Sequence, residues 1–294
     1  MKPIFFAYPG NETLTQSLAE AVQGVCGQWE IHTFPDEESL VRLTTDVSGA
    51  TVFFVASLDR PNAKLIPLVF AAETARFLGA KGVHIIAPYL AYMRQDDIFH
   101  AGEGMTMQYC ASLLSRYFDS LMTVDPHLHR CPELSNVYTI PATAVHAAPL
   151  IAAWIKQYIE KPVLLGPDRE SSQWASQIAD LIQVPAFIME KTRLGDREIK
   201  TAALDCSSYR GHHAVIVDDM ISTGVTMRNA VLQLKKQGVE QVSCIAVHGI
   251  FADDAYTELL NAGVTHMVTC NTIPHVSNGI DIASLIVPQL VAVL

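Results

Sequence analysis

Short apolar runs in this chain break off, again and again, into small clusters of polar residues. Residues 51–56 lead to Asp59-Arg60, residues 83–87 to Arg94-Gln95-Asp96, and residues 120–124 to Asp125-Pro126-His127. Further on, residues 163–165 lead to Gly166-Pro167-Asp168, and residues 215–217 to Asp218-Asp219. Between the runs lie stretches of helical length: 62–78 closed by Gly79, 106–117, 147–159, 172–181, and 227–237 closed by Gly238. Continuous apolar runs read as strands covered on both faces, the habit of a parallel sheet. Parallel neighbours need long crossovers, and helices supply them. The expected class is therefore α/β, with doubly wound parallel sheets. Strand, helix, strand, helix, strand runs once, restarts near residues 141–146, and runs again. That rhythm divides the chain into residues 1–145 and 146–294, with an apolar tail at 284–294 expected to dock back as a helix.

In such folds the chemistry gathers where strands end, so the polar clusters are candidate site residues. The densest is Val215-Ile216-Val217-Asp218-Asp219-Met220-Ile221-Ser222-Thr223-Gly224-Val225-Thr226. The apolar lead is a buried strand. The hydroxyls and backbone N–H groups ahead of a helix make a cradle for phosphate. The paired carboxylates can accept hydrogen bonds from a sugar diol, or hold a divalent metal through water. Phosphate at one end and a diol at the other describe a ribose 5-phosphate unit. The bland reading is an ordinary helix cap, with Ser, Thr and Asp serving the helix dipole. The strand lead and the double carboxylate favour the functional reading.

With 294 residues the chain has room for two ordinary domains. Half of it is hydrophobic, yet no apolar run reaches spanning length, which argues against a membrane protein. The start, Met1 to Tyr8, is stopped by Pro9-Gly10-Asn11 and reads as a short strand and turn rather than a signal peptide. Six scattered cysteines with no C-x-x-C pair fit reduced thiols in a cytoplasmic protein. A net charge of −10 argues against general nucleic-acid binding. It leaves room for an anionic small substrate served by local cations. No P-loop motif is present. Gly102-x-Gly104 is too short for a dinucleotide fingerprint, and His127-x-His129 has no further ligand at zinc-site spacing.

Asp218-Asp219-x-x-Ser222-Thr223-Gly224-x-Thr226 resembles the phosphoribosyl-diphosphate loop of the type I phosphoribosyltransferase fold. Five other segments narrow the likeness. Phe34-Pro35-Asp36-Glu37-Glu38 is similar to a synthase F-S-D-G-E segment, and Pro88 to Asp96 to P-Y-Y-x-Y-A-R-Q-D. Asp125-Pro126-His127 is similar to D-L-H, Gly166-Pro167-Asp168 to S-P-D, and Lys191-x-Arg193 to a catalytic K-x-R loop. Together, in family order, they resemble the ribose-phosphate diphosphokinases, a likeness running the length of the chain.

The resemblance implies two domains of the type I phosphoribosyltransferase fold, ATP on the first and ribose 5-phosphate on the second. Phe34, Asp36 and Glu38 would contact the adenine and ribose of ATP from a neighbouring subunit of a homo-oligomer. Arg94 and Gln95 would hold the same nucleotide. His127 and Asp168 would support Mg²⁺. Asp218 and Asp219 would bind the hydroxyls of ribose 5-phosphate, and Ser222, Thr223, Gly224, Val225 and Thr226 its phosphate. Lys191 and Arg193, on a mobile loop, would close over the transferring diphosphate. The implied reaction moves the β,γ-diphosphoryl group of Mg·ATP to the anomeric hydroxyl, releasing AMP. Alternatives are a non-catalytic or regulatory paralogue, and a phosphoribosyltransferase consuming phosphoribosyl diphosphate. The chain also departs from the pattern. Asp97 to Gly102 carries no Lys or Arg, Ser222 stands in place of Asp, and Glu170-Ser171 replaces a glycine pair.

Overall fold

Phe5-Phe6 and Phe53-Phe54 show how the first sheet is covered. They lie on β1 (Ile4–Ala7) and β5 (Thr51–Val55), parallel neighbours in register Phe5↔Phe53 and Phe6↔Phe54. Successive side chains leave a strand on opposite faces, so Phe5 stacks on Phe53 at 4.8 Å and Phe6 on Phe54 at 5.3 Å. All four rings are fully buried, and each contributes roughly 1.5–3 kcal/mol by leaving water. Only a sheet covered on both faces can bury both pairs, and on one face Trp29, from an antiparallel hairpin, packs against Phe6 and Phe54.

The computed structural model describes residues 1–98, 100–128, 133–168, 171–188, 191–193, 199–201 and 211–294. It divides into two compact units, residues 1–146 with 272–274 and 282–294, and residues 147–271 with 275–281. The first unit continues with α1 (Glu12–Ala21), β2 (Val25–Gly27), the antiparallel pair β3 (Trp29–Thr33) and β4 (Ser39–Leu43), and α2 (Asn62–Phe77) after β5. β6 (Gly82–Ala87), α3 (Thr106–Tyr117), β7 (Ser120–Val124) and β8 (Ala142–Val145) complete its sheet, ordered β2-β1-β5-β6-β7-β8 and parallel throughout.

The second unit opens with α4 (Ala148–Tyr158), β9 (Pro162–Gly166), α5 (Ser172–Ile182) and β10 (Ala186–Ile188). An antiparallel pair follows, β11 (Lys191–Arg193) with β12 (Ile199–Thr201). Then come β13 (His213–Ile221), α6 (Val225–Lys236), β14 (Val242–Gly249), α7 (Ala255–Asn261), β15 (His266–Cys270) and β16 (Asn278–Ile280). The order β10-β9-β13-β14-β15-β16, again all parallel, repeats the path of the first sheet strand for strand. Each unit even inserts its antiparallel pair at the same point, between its second and third sheet strands.

α8 (Ala283–Val293) is the expected C-terminal helix. The sequence alone assigns it to the 146–294 domain, but by its contacts it belongs with the first unit, against α1 and β8. Ile286 and Leu290 are the buried side chains of that face. β13 also runs further than the apolar run suggests, because its ladder with β14 continues through Asp218↔Ala246 and Met220↔His248 to Ile221↔Gly249. No helix among the described residues is long and apolar enough to cross a membrane.

Candidate active site

Strands of one parallel sheet end at one edge, so the loops after β9, β13 and β14 in the second unit share that edge. Part of the backbone strain lies in loops that follow sheet strands, the rest at Gln23, Glu37, Lys161 and Gln183. In those loops Arg60, Tyr92 and Asp125 of the first unit, and Phe251 and Asp253 of the second, have positive φ although none is glycine. Such conformations cost roughly 1–3 kcal/mol each and persist where the surroundings fix them.

In the second unit Asp218 and Asp219 are the sixth and seventh residues of β13, half-buried rather than beyond the strand. Asp218 Oδ1 accepts the Asp219 backbone N–H at 2.9 Å. Burial pushes the Asp218 carboxyl well above the ordinary carboxylate range, and the charges of Asp219 and Asp168 push it further. The loop hydroxyls follow directly. Ser222 and Thr223 make no hydrogen bond to another described residue through amide or hydroxyl, and Thr223 is exposed. Gly224 sits at φ +68°, and a Cβ there would meet Leu259 Cδ1 at 3.1 Å and Ala255 Cβ at 3.4 Å. The positive φ favours glycine, and a Cβ would need Leu259 to give way slightly. Its carbonyl accepts the Arg228 N–H at 2.8 Å, the first turn of α6. Val225 is the exposed first residue of that helix and Thr226 the half-buried second. The carboxylates, the hydroxyls and a helix N-terminus thus occupy one continuous turn.

Asp168 closes the turn that starts α5. Its Oδ1 accepts the Ser171 N–H at 3.1 Å and the Ser171 hydroxyl at 3.0 Å, while its own N–H donates to Ser171 Oγ at 3.1 Å. Gly166 permits this, because a Cβ would lie 3.2 Å from the Ser171 backbone. Lys191 and Arg193, expected on a loop, have their backbone in β11, paired with Thr201 and Ile199. Glu170 and His129 lie outside the described residues.

The first unit holds the remaining candidates. Phe34, Asp36 and Glu38 form the tip of the β3–β4 hairpin, closed by Phe34 N–H to Glu38 O at 2.8 Å and Glu37 N–H to Phe34 O at 2.9 Å. All three are exposed, and Phe34 keeps 40% of its surface open. Arg94 and Gln95 are exposed in the turns after β6. His127 is half-buried just beyond β7. Its neighbour Asp125 is buried and accepts from His146 Nδ1 at 2.8 Å, which raises the His146 pKa. His127 and Asp168 fall in different units.

A divalent cation fits the second unit electrostatically, since carboxylates elevate one another's proton affinity there. No three His, Cys, Asp or Glu side chains among the described residues form a cage. An ion would take most of its ligands from water and phosphate, the habit of Mg²⁺.

Sequence reasoning missed the loop at residues 250–252. Ile250 and Phe251 N–H both donate to Ile221 O at 3.0 Å, and Ala252 N–H donates to Ser222 O at 3.1 Å. Its one visible signal is Gly249, directly after an apolar run.

A model of the phosphoribosyl transferase domain matches residues 134–284, and a model of the N-terminal domain of ribose phosphate pyrophosphokinase matches residues 4–117. A ribose-phosphate pyrophosphokinase of Saccharolobus solfataricus is 34% identical over 284 residues, covering 95% of each chain. One from Methanothermobacter thermautotrophicus is 30% identical over 277 residues, covering 94% of this chain and 95% of its own. The crystal structure of phosphoribosylpyrophosphate synthetase from Mycobacterium smegmatis superposes with a TM-score of 0.85 at 25% identity, covering 100% of this chain and 99% of that one.

Proposed function

The chain belongs to the ribose-phosphate pyrophosphokinase family of enzymes, and from that premise we propose that it transfers the β,γ-diphosphoryl group of ATP to the anomeric hydroxyl of ribose 5-phosphate. The products are phosphoribosyl diphosphate and AMP. The observation that carries this reading is the single turn in which Asp218 and Asp219 precede the open amides and hydroxyls of Ser222 and Thr223.

In this reading the carboxylates accept hydrogen bonds from the ribose hydroxyls, and Ser222, Thr223, Gly224, Val225 and Thr226 surround the 5-phosphate at the positive end of α6. Holding the sugar at both ends orients its anomeric oxygen for attack on the β-phosphorus, with AMP as the leaving group. The work left to the protein is to shield charge. Lys191 and Arg193, cationic residues of the kind that stabilise a polyphosphate, take that role. Mg²⁺, supported by His127 and Asp168, supplies the further charge neutralisation that dense phosphates require. Arg94 and Gln95 hold the nucleotide. Phe34, Asp36 and Glu38 reach ATP on a second subunit of a homo-oligomer, which the open aromatic face of Phe34 at the hairpin tip supports. We propose that the reaction runs in the cytoplasm.

The test is direct. Purified protein with Mg²⁺, ATP and ribose 5-phosphate is expected to release AMP and phosphoribosyl diphosphate in equal amounts. Release of neither product, over a range of inorganic phosphate concentrations, would sink the reading.

A further inference from the structure

The backbone amides of Ser222 and Thr223 have their direction set from outside the loop that contains them. A trans peptide points its C=O and the following N–H in opposite directions. Ile221 C=O is drawn toward residues 250 and 251, whose N–H groups both donate to it at 3.0 Å. The Ser222 N–H therefore points the other way. Ser222 C=O is drawn toward Ala252 N–H at 3.1 Å, so the Thr223 N–H also points away from residues 250–252. The carbonyl oxygens, which would repel an anion, are held on one side, and the two donors are left on the other.

Residues 250–252 need their own support, because Phe251 takes φ +43°. That support is a packed aromatic trio. Phe251 meets Tyr256 edge-on at 5.2 Å and His275 at 4.5 Å, and Tyr256 meets His275 at 4.8 Å. His275 is itself fixed, its backbone N–H donating to Asn278 Oδ1 at 2.9 Å and its Nδ1 paired with Ser277 Oγ at 2.8 Å. Space for the phenyl ring comes from Gly249. A Cβ there would lie 2.5 Å from Phe251 Cε2 and 3.0 Å from Thr269 Cγ2, too close for any other residue unless the ring moves.

We infer that Phe251, seated by Gly249, Tyr256 and His275, is a positioning residue for ribose 5-phosphate: it fixes residues 250–252, and these turn the Ser222 and Thr223 amides toward the phosphate. The inference deepens the proposed function and rests on it. Phe251 touches no substrate in this account; it acts through the loop. Losing it should therefore weaken the sugar phosphate and leave the nucleotide alone.

The experiment compares wild type with Phe251→Ala and Gly249→Ala, using calorimetric binding of ribose 5-phosphate and steady-state kinetics on the full chain. The expected result is a dissociation constant for ribose 5-phosphate raised roughly ten- to a hundredfold in both variants, with KM for ATP unchanged. Phe251→Tyr, which keeps the ring, should restore wild-type binding. Thermal melting checks that each variant is folded. Should Phe251→Ala fail to fold, Phe251→Leu and Gly249→Ala carry the test. Unchanged ribose 5-phosphate binding in the folded variants overturns the inference, and so does an equal loss for ATP. A wild-type protein that binds no ribose 5-phosphate would instead overturn the proposed function, which keeps the two failures apart.

Discussion

The β5–α2 junction in the first unit and the β13–α6 junction in the second occupy the same place in two sheets of the same strand order. In the first, the polar groups are spent on the protein itself. Asn11 Nδ2 donates to Ser57 Oγ at 2.8 Å, Ser57 N–H donates to Asn11 Oδ1 at 2.9 Å, and the Ser57 hydroxyl donates to Thr272 O. Lys64 Nζ fills what remains, donating to Ser57 O at 2.8 Å and to Asp59 Oδ1 at 2.5 Å. In the second, carboxylates face carboxylates, and the Ser222 and Thr223 donors are turned outward. One junction is closed by its own lysine, while at the other we propose that the Ser222 and Thr223 donors are kept for a ligand. Topology alone therefore does not decide where a strand end binds; the decision lies in whether neighbouring side chains have already satisfied it.

Substitution at the carboxylates tests this contrast most strongly. Asp218→Ala with Asp219→Ala is expected to lower turnover by about a hundred- to a thousandfold, while Asp59→Asn leaves turnover within a factor of a few. Equal losses at the two junctions, measured as AMP release, would erase the contrast.

A smaller effect should appear in the pH dependence. Asp218 holds its proton above the ordinary carboxylate range, through burial and the Asp219 and Asp168 charges. Sugar hydroxyls prefer the ionised form, so ribose 5-phosphate affinity should climb with pH through that titration, by up to about tenfold per pH unit for one proton released. The unliganded fold follows the opposite sign. A raised folded-state pKa gives stability present below the ordinary carboxylate range and lost as pH rises through the elevated value. Affinity and melting temperature should thus diverge across the same interval. Calorimetry and melting curves on Asp218→Asn should show both slopes flattened; slopes that persist there belong to another group.

Smallest in activity, and opposite in kind, is Lys64→Met. Lys64 and Asp59 keep only 17% and 22% of their side-chain surface, and removing the ammonium strands a largely buried carboxylate. Chemical denaturation should report a loss of about 1–3 kcal/mol, with turnover little altered. A variant as stable as wild type would mean that the first junction is not held by its lysine.

The strand rhythm was legible because a buried parallel strand is written as a largely apolar run, as in β1 (IFFA) and in VFFV of β5. The β13–α6 turn was legible because carboxylates, hydroxyls and glycine fall within a dozen adjacent positions. What escaped notice was tertiary. β13 outlasts its apolar run because hydrogen bonds to β14, not hydrophobicity, carry it to Ile221. The β3–β4 hairpin alternates weakly between half-buried and exposed residues, so only the motif at its tip stood out. The Phe251 support joins residues 221, 249, 256 and 275, and no local pattern links positions so far apart. The partner of α8 was hidden for the same reason, since an apolar helix does not state which surface will cover it.

The placement of α8 bears on how the protein is made. α1 precedes most of the second unit in the chain and α8 follows it, yet α1 and α8 belong to one compact unit. The first unit therefore keeps the surface that will meet Ile286 and Leu290 uncovered until α8 has left the ribosome. A nascent chain arrested before α8 emerges would hold a first unit still missing a wall.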